Sequence, residues 1–130
     1  MSDSENIERS AALLREHFGE APPTAIVLGS GLGPVVQRMQ ERKQVPSVQL
    51  GFPQSTVVGH AGRLVRGTLG GHGLIAVSGR VHLYEGLPAA HVVRGVRALK
   101  RWGVRQLVLT ASVGGITDGL DPGELMLVTD

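Results

Sequence analysis

The chain has 130 residues, 42% of them hydrophobic, which suits one compact domain and is too little for two. Its 13 Lys and Arg against 11 Asp and Glu leave a net charge of +2; the pI near 9.7 reflects a flat titration curve, because almost nothing titrates between neutral pH and the arginine range. Four scattered aromatic residues, no cysteine, no signal-peptide pattern and no apolar run near the ~18 residues of a membrane span exclude a base-stacking nucleic-acid binder, a disulfide framework and a transmembrane helix, leaving a soluble cytoplasmic protein as the expectation.

Ser4 to Phe18 reads as a helix capped by Ser4, with Ile7, Ala11, Leu14 and Phe18 on one face and Gly19 closing it. Thr24 to Leu28 is a short unbroken apolar run, as in a strand covered on both faces of a parallel sheet. It leads into Gly29, Ser30, Gly31, Leu32 and Gly33, after which Pro34 takes the first position of a helix running toward Lys43 with Val35, Val36 and Met39 buried. From Val48 to Ser78 short strand-like pieces alternate with glycine. Leu64 to Leu69 and Leu74 to Val77 flank Gly70, Gly71, His72 and Gly73 in the manner of a hairpin.

Pro88 to Trp102 predicts a second helix, with Val92, Val93, Val96, Leu99 and Trp102 in one stripe and Arg94, Arg97, Lys100 and Arg101 away from it. Gln106 to Leu109 reads as a buried strand, and Leu125 to Val128 as a further one. The expected fold is a single α/β domain over residues 1–130, with a central mixed, largely parallel sheet flanked by helices. Its last strand lacks a covering element, so the domain reads as partial, cut short after Asp130.

Three glycine-rich segments carry chemistry. Gly29 to Gly33 offers backbone N–H groups and the Ser30 hydroxyl to an anion, although a tight strand-to-helix connection uses the same residues; its spacing is not that of the dinucleotide-binding fingerprint. In Gly79 to Gly86, alternation along a strand would put Arg80, His82 and Tyr84 on one face, where a guanidinium fork and an imidazole make an oxyanion clamp. An Arg paired to a carboxylate and a core His are the plainer alternatives for those two residues. Ala111 to Gly115 follows a strand, where open α/β sheets build ligand crevices, and is equally a simple turn by position. His60 sits at a loop tip, Gly59 to Gly62, while His17, His72 and His91 have no partner pattern and read as solvent-facing.

Taken in order, the GSGLG turn, the FPQSTVVGHAG loop, the GRVHLYEG segment and TASVGG followed by GELMLVTD resemble the trimeric purine nucleoside phosphorylase family, from Ala25 onward. The resemblance implies that Ser30, Arg80, His82 and the backbone N–H of Ser112 hold phosphate, that Tyr84 lies near the ribose, that Glu85 orients His82, and that His60 belongs to a loop over the phosphate. It further implies phosphate-dependent cleavage of purine ribonucleosides or deoxyribonucleosides, with phosphate as co-substrate and no metal or organic cofactor. The implied partners are nucleoside and phosphate, within a homo-oligomer that is a trimer in the family, with no nucleic acid or membrane.

Two departures stand out. Where the family shows TNAAGG, this chain has Ala111 for the Asn and the bulkier Val113, which narrows the floor of a base pocket. The acidic and amide residues that recognise the purine in the family lie beyond the part matched here, so base preference is not legible. A methylthioadenosine phosphorylase and a non-catalytic phosphate-binding or oligomerising remnant are the alternative readings.

Overall fold

The computed structural model describes residues 1–56 and 62–130. The first helix, α1 (Asp3–Phe18), is capped by Ser2 and not by Ser4. The Ser2 hydroxyl accepts the Glu5 N–H at 3.2 Å while the Glu5 carboxylate accepts the Ser2 N–H at 2.6 Å. This reciprocal box needs its Glu three residues past the cap, a spacing that Ser2 and Glu5 have.

The strands are β1 (Thr24–Leu28), β2 (Gln40–Pro46), β3 (Arg63–Leu69), β4 (His72–Ser78) and β5 (Gln106–Leu109), with α2 (Ala89–Trp102) before the last. They form one mixed sheet in the order β2-β3-β4-β1-β5. β1 runs parallel to both β4 and β5, while β3 is antiparallel to β4 and β2 antiparallel to β3. The β3–β4 hairpin closes through only Gly70 and Gly71, whose φ of 57° and 81° are the pair of left-handed residues that a tight turn matched to strand twist requires.

Alternation along the strands divides the core. Ala25, Val27, Leu64, Ile75 and Val77 face Ala11 and Leu14 of α1 and Ala98, Leu99 and Trp102 of α2, so both helices cover the same face. Leu28, Val65, Leu74 and Ala76 face the other way, onto Val36 and Met39. The helix ends are tied together: the Trp102 indole N–H donates to the Gly19 carbonyl at 2.8 Å, and its ring lies 6.0 Å from that of Phe18. Arg94 and Arg97 meet Asp3 at 2.9 and 3.7 Å, fixing the α1–α2 pairing at its other end.

Further sequence expectations are corrected. The helix expected from Pro34 toward Lys43 is a short 3-10 turn, Gly33–Arg38, followed by β2. Val36 and Met39 are buried as expected, but once they are seated the chain turns into an edge strand against β3. In α2, Leu99 and Trp102 are buried while Val93 and Val96 are 44% and 37% exposed, because the packed face is shifted toward Ala98. β5 forms where expected but is exposed rather than buried: among the described residues it pairs only with β1, and Leu109 is 63% exposed. Leu125 to Val128 forms no strand, and Leu125 and Leu127 are 95% and 85% exposed. An apolar run becomes a strand only where a neighbour accepts its ladder of hydrogen bonds, and no described strand pairs with it. Of the three histidines read as solvent-facing, His72 is exposed while His17 and His91 are half-buried. Among the described residues, no helix is long and apolar enough to cross a membrane.

A test of this packing lies at Gly95, in the middle of α2, where an added β-carbon would meet the Phe52 ring at 2.9 Å. Helix propensity alone favours Gly95→Ala by about 1 kcal/mol, whereas overpacking a tight contact costs about 1–3 kcal/mol. Gly95→Ala is therefore expected to lower stability by about 1 kcal/mol in urea unfolding, and Phe52→Leu added to it should remove the penalty of that contact. A stabilised single variant would show that the Phe52 ring yields freely.

Candidate functional site

The sheet order brings three turns to one edge. β4, β1 and β5 are adjacent and parallel, so the segments leaving their carboxyl ends, Gly79–Glu85, Gly29–Gly33 and Thr110–Gly115, emerge side by side. This is where open α/β sheets hold ligands.

Thr110 binds two of these turns together. Its hydroxyl donates to the Val27 carbonyl at 2.7 Å and accepts the Gly29 N–H at 2.9 Å. Its own N–H donates to the Val27 carbonyl at 3.1 Å. Gly29 then passes so close that an added β-carbon would lie 2.8 Å from the Thr110 carbonyl oxygen and 2.9 Å from the Ala111 α-carbon. The turn closes through Leu32 N–H to Gly29 carbonyl at 3.1 Å, with Gly31 at a φ of 82° that few other residues adopt. One step further out, the Ser112 hydroxyl donates to the Ser30 carbonyl. Ser30 and Ser112 are thus brought together, and both are exposed. A side-chain role for Ser112 was not visible in sequence, where only its backbone N–H was implicated.

The third turn departs from the strand expected there. β4 stops at Ser78, Gly79 turns with a φ of 85°, and Leu83–Glu85 is a 3-10 turn, so alternation does not align Arg80, His82 and Tyr84. His82 and Tyr84 still meet, their rings stacked 4.7 Å apart at 18°. Arg80 is exposed, on the lining of a cavity of about 210 Å³ that Phe52, Pro53, Val81, Val96 and Leu109 also border. Phe52 and Pro53 were not singled out in sequence; their place beside the loop that carries His60 was the available signal. His60 itself lies outside the described residues.

Glu85 organises this end of the site. Its Oε2 accepts the His82 N–H at 2.6 Å and lies 3.3 Å from His82 Nδ1. Its Oε1 accepts from the Ser55 hydroxyl at 2.7 Å, the Thr56 N–H at 2.9 Å and the Thr56 hydroxyl at 3.2 Å. The Ser55 hydroxyl first, and then the His82 N–H, hold the carboxyl down to a pKa of about 2, against the opposing effect of desolvation. Glu85 is therefore a fixed anion at any pH near neutral. Among the described residues, no cluster of His, Cys, Asp or Glu is arranged to hold a metal ion.

Comparison with known proteins gives a consistent picture. The family model for the phosphorylase superfamily matches residues 23–130. Purine nucleoside phosphorylase 1 of Geobacillus stearothermophilus is 40% identical over 125 residues, covering 95% of this chain and 46% of that protein. The purine nucleoside phosphorylase of Bos taurus is 38% identical over 127 residues, covering 97% and 44%. Among solved structures, a purine nucleoside phosphorylase in complex with ribose-1-phosphate matches with a TM-score of 0.83 at 33% identity, over 92% of this chain and 44% of its own. Isoform 2 of the Schistosoma mansoni enzyme, in complex with cytosine and ribose-1-phosphate, matches with a TM-score of 0.82 at 37% identity, over 92% and 42%. The chain spans about half the length of the curated relatives it matches and aligns with their N-terminal half.

The Glu85 network carries a pH signature. A carboxyl whose folded pKa is depressed contributes stability that is fully present above its unfolded value, here 4.5, and is lost as pH falls from there toward 2. Glu5 titrates in the same direction, held down by the Ser2 N–H and hydroxyl, but is common to both proteins in a comparison with Glu85→Gln. Plotted against pH, the urea midpoint of Glu85→Gln should fall less steeply than that of the parent between pH 4.5 and 2. Parallel curves would show that the carboxylate contributes nothing to the folded state.

Proposed function

The chain belongs to the phosphorylase superfamily, as a relative of the purine nucleoside phosphorylases that matches their N-terminal half, and on that premise we propose that its triple-turn edge is the phosphate site and part of the ribose site of such an enzyme. The reaction is phosphate-dependent cleavage of purine ribonucleosides or deoxyribonucleosides to free base and pentose 1-phosphate. The observation that carries the reading is the convergence of Gly29–Gly33, Gly79–Glu85 and Thr110–Gly115 at the carboxyl ends of three adjacent parallel strands.

In this reading the Ser30 hydroxyl, the Arg80 guanidinium, the His82 imidazole and the Ser112 N–H hold the phosphate, with Glu85 orienting His82. Tyr84, exposed beyond the His82 ring, lies toward the ribose. A phosphate oxygen bonds to the anomeric carbon as the glycosidic C–N bond breaks and its electron pair leaves with the purine. The sugar becomes oxocarbenium-like on the way, so a fixed dianion beside it is both nucleophile and counter-charge. The matching structure that holds ribose-1-phosphate supports this, since that is the sugar product of such a reaction. In this reading the chemistry needs no metal or organic cofactor, and the enzyme works in the cytoplasm as a homo-oligomer, a trimer in the family.

The test joins this chain to the half of the Geobacillus stearothermophilus relative that it does not match, and measures hypoxanthine release from inosine with and without phosphate. Methylthioadenosine in the same assay separates the neighbouring phosphorylase activity. Arg80→Ala should lower kcat/KM for phosphate by about 30- to 1,000-fold, about 2–4 kcal/mol of transition-state stabilisation, with a much smaller effect on the KM of the nucleoside. Arg80→Lys should recover only part, because a point charge does not reproduce the planar two-oxygen contact. Equal losses toward both substrates would make Arg80 a structural residue.

A further inference from the structure

Four donors and one ring nitrogen converge on the two oxygens of Glu85, and they come from two separate stretches of chain. Ser55 Oγ, Thr56 N and Thr56 Oγ1 face Oε1, while His82 N and His82 Nδ1 face Oε2. The Glu85 side chain is only 2% exposed, so water does not compete for these positions. An ionised carboxylate accepts and never donates. The hydrogen shared with His82 must therefore sit on Nδ1, which leaves Nε2 of the neutral ring as a bare acceptor.

We infer that Ser55 is a positioning residue: its hydroxyl, together with the Thr56 N–H, fixes the Glu85 carboxylate and through it holds His82 in the Nδ1–H tautomer, leaving Nε2 to accept the hydroxyl hydrogen of a monoprotonated phosphate. Without the bonds to Oε1, the carboxylate rotates about its terminal torsion, a broad and weakly restrained one, and Oε2 is no longer held between the two nitrogens of His82. The contact spans 30 residues of sequence, so the state of the imidazole depends on a segment far from it along the chain. The inference deepens the phosphate reading of His82 and rests on it for its purpose, but the tautomer is measurable whether or not phosphate binds.

The experiment uses the 130-residue chain labelled with ¹⁵N-histidine, read by long-range proton–nitrogen correlation at a pH where the ring is neutral, with His82→Gln to assign the signal and exposed His72 as an internal control. The parent should show a protonated Nδ1 and a bare Nε2. Ser55→Ala and Glu85→Gln should both lose that pattern in favour of the Nε2–H form that free histidine prefers, since glutamine turns one of the two accepting sides into a donor. Ser55→Thr, which keeps the hydroxyl, should retain it. If Ser55→Ala loses its amide dispersion, Ser55→Cys, with its weak S–H donor, replaces it and should show the same loss. A Ser55→Ala or Ser55→Cys chain that is folded and keeps the parent pattern overturns the inference, as does a parent already in the Nε2–H form. A tautomer that responds to Ser55 in a chain that binds no phosphate would support the positioning role and remove the phosphate reading instead.

Discussion

Everything at the candidate site depends on how closely the end of β1 approaches the end of β5. Gly29 leaves no room for a β-carbon against Thr110 and Ala111, and the Thr110 hydroxyl bridges Val27 and Gly29, donating to one and accepting from the other. Two loops that would otherwise carry unpaired backbone groups are locked into one surface. The parallel pairing of β1 with β5 sets their register, from Thr24 opposite Gln106 to Val27 opposite Leu109, and the Ser112 to Ser30 bond extends that register past the strands. Glycine is required at position 29 because its α-carbon packs against the backbone of Thr110 and Ala111.

The second tie works by charge. β4 delivers Gly79–Glu85 to the same edge, but what shapes that turn is the buried anion of Glu85, not strand geometry. An anion with this many donors is stable where a bare one would be costly. It converts a flexible loop into a fixed support for His82, and it leaves Arg80 as a cation that Glu85 does not neutralise. The site thus divides its labour: the Gly29 and Thr110 turns offer backbone and hydroxyl groups, the Glu85 turn offers an imidazole, and Arg80 offers the permanent positive charge suited to an oxyanion.

Much of the frame was legible from local pattern. TAIVL reads as a doubly covered strand because it is an unbroken run without a charged residue, and it forms β1 with the expected bounds. Gly70 and Gly71 announce a hairpin because only glycine enters that turn without strain. β2 was invisible for the opposite reason: QERKQVP has a single buried residue, Val45, and an edge strand with one such side chain leaves no periodicity to find. The site was legible only in its residue types. Arg80, His82 and Glu85 were picked out, but the bonds from Ser55 and Thr56 to Glu85 and from Thr110 to Val27 and Gly29 join segments far apart in sequence, and no spacing rule reports them. The strand geometry first assigned to Arg80, His82 and Tyr84 failed because Gly79 and the Glu85 cap redirect the chain after Ser78.

The central claim is that the three turns form one anion site. Titrating inorganic phosphate into the ¹⁵N-labelled chain, with chloride at matched ionic strength as control, tests it directly. The amides of Ser30, His82 and Ser112 are expected to shift together along one saturating isotherm, with the side-chain signal of Arg80 following and exposed Arg38 and Arg101 unmoved. Shifts spread over the exposed arginines without saturation, or confined to one turn, would contradict it.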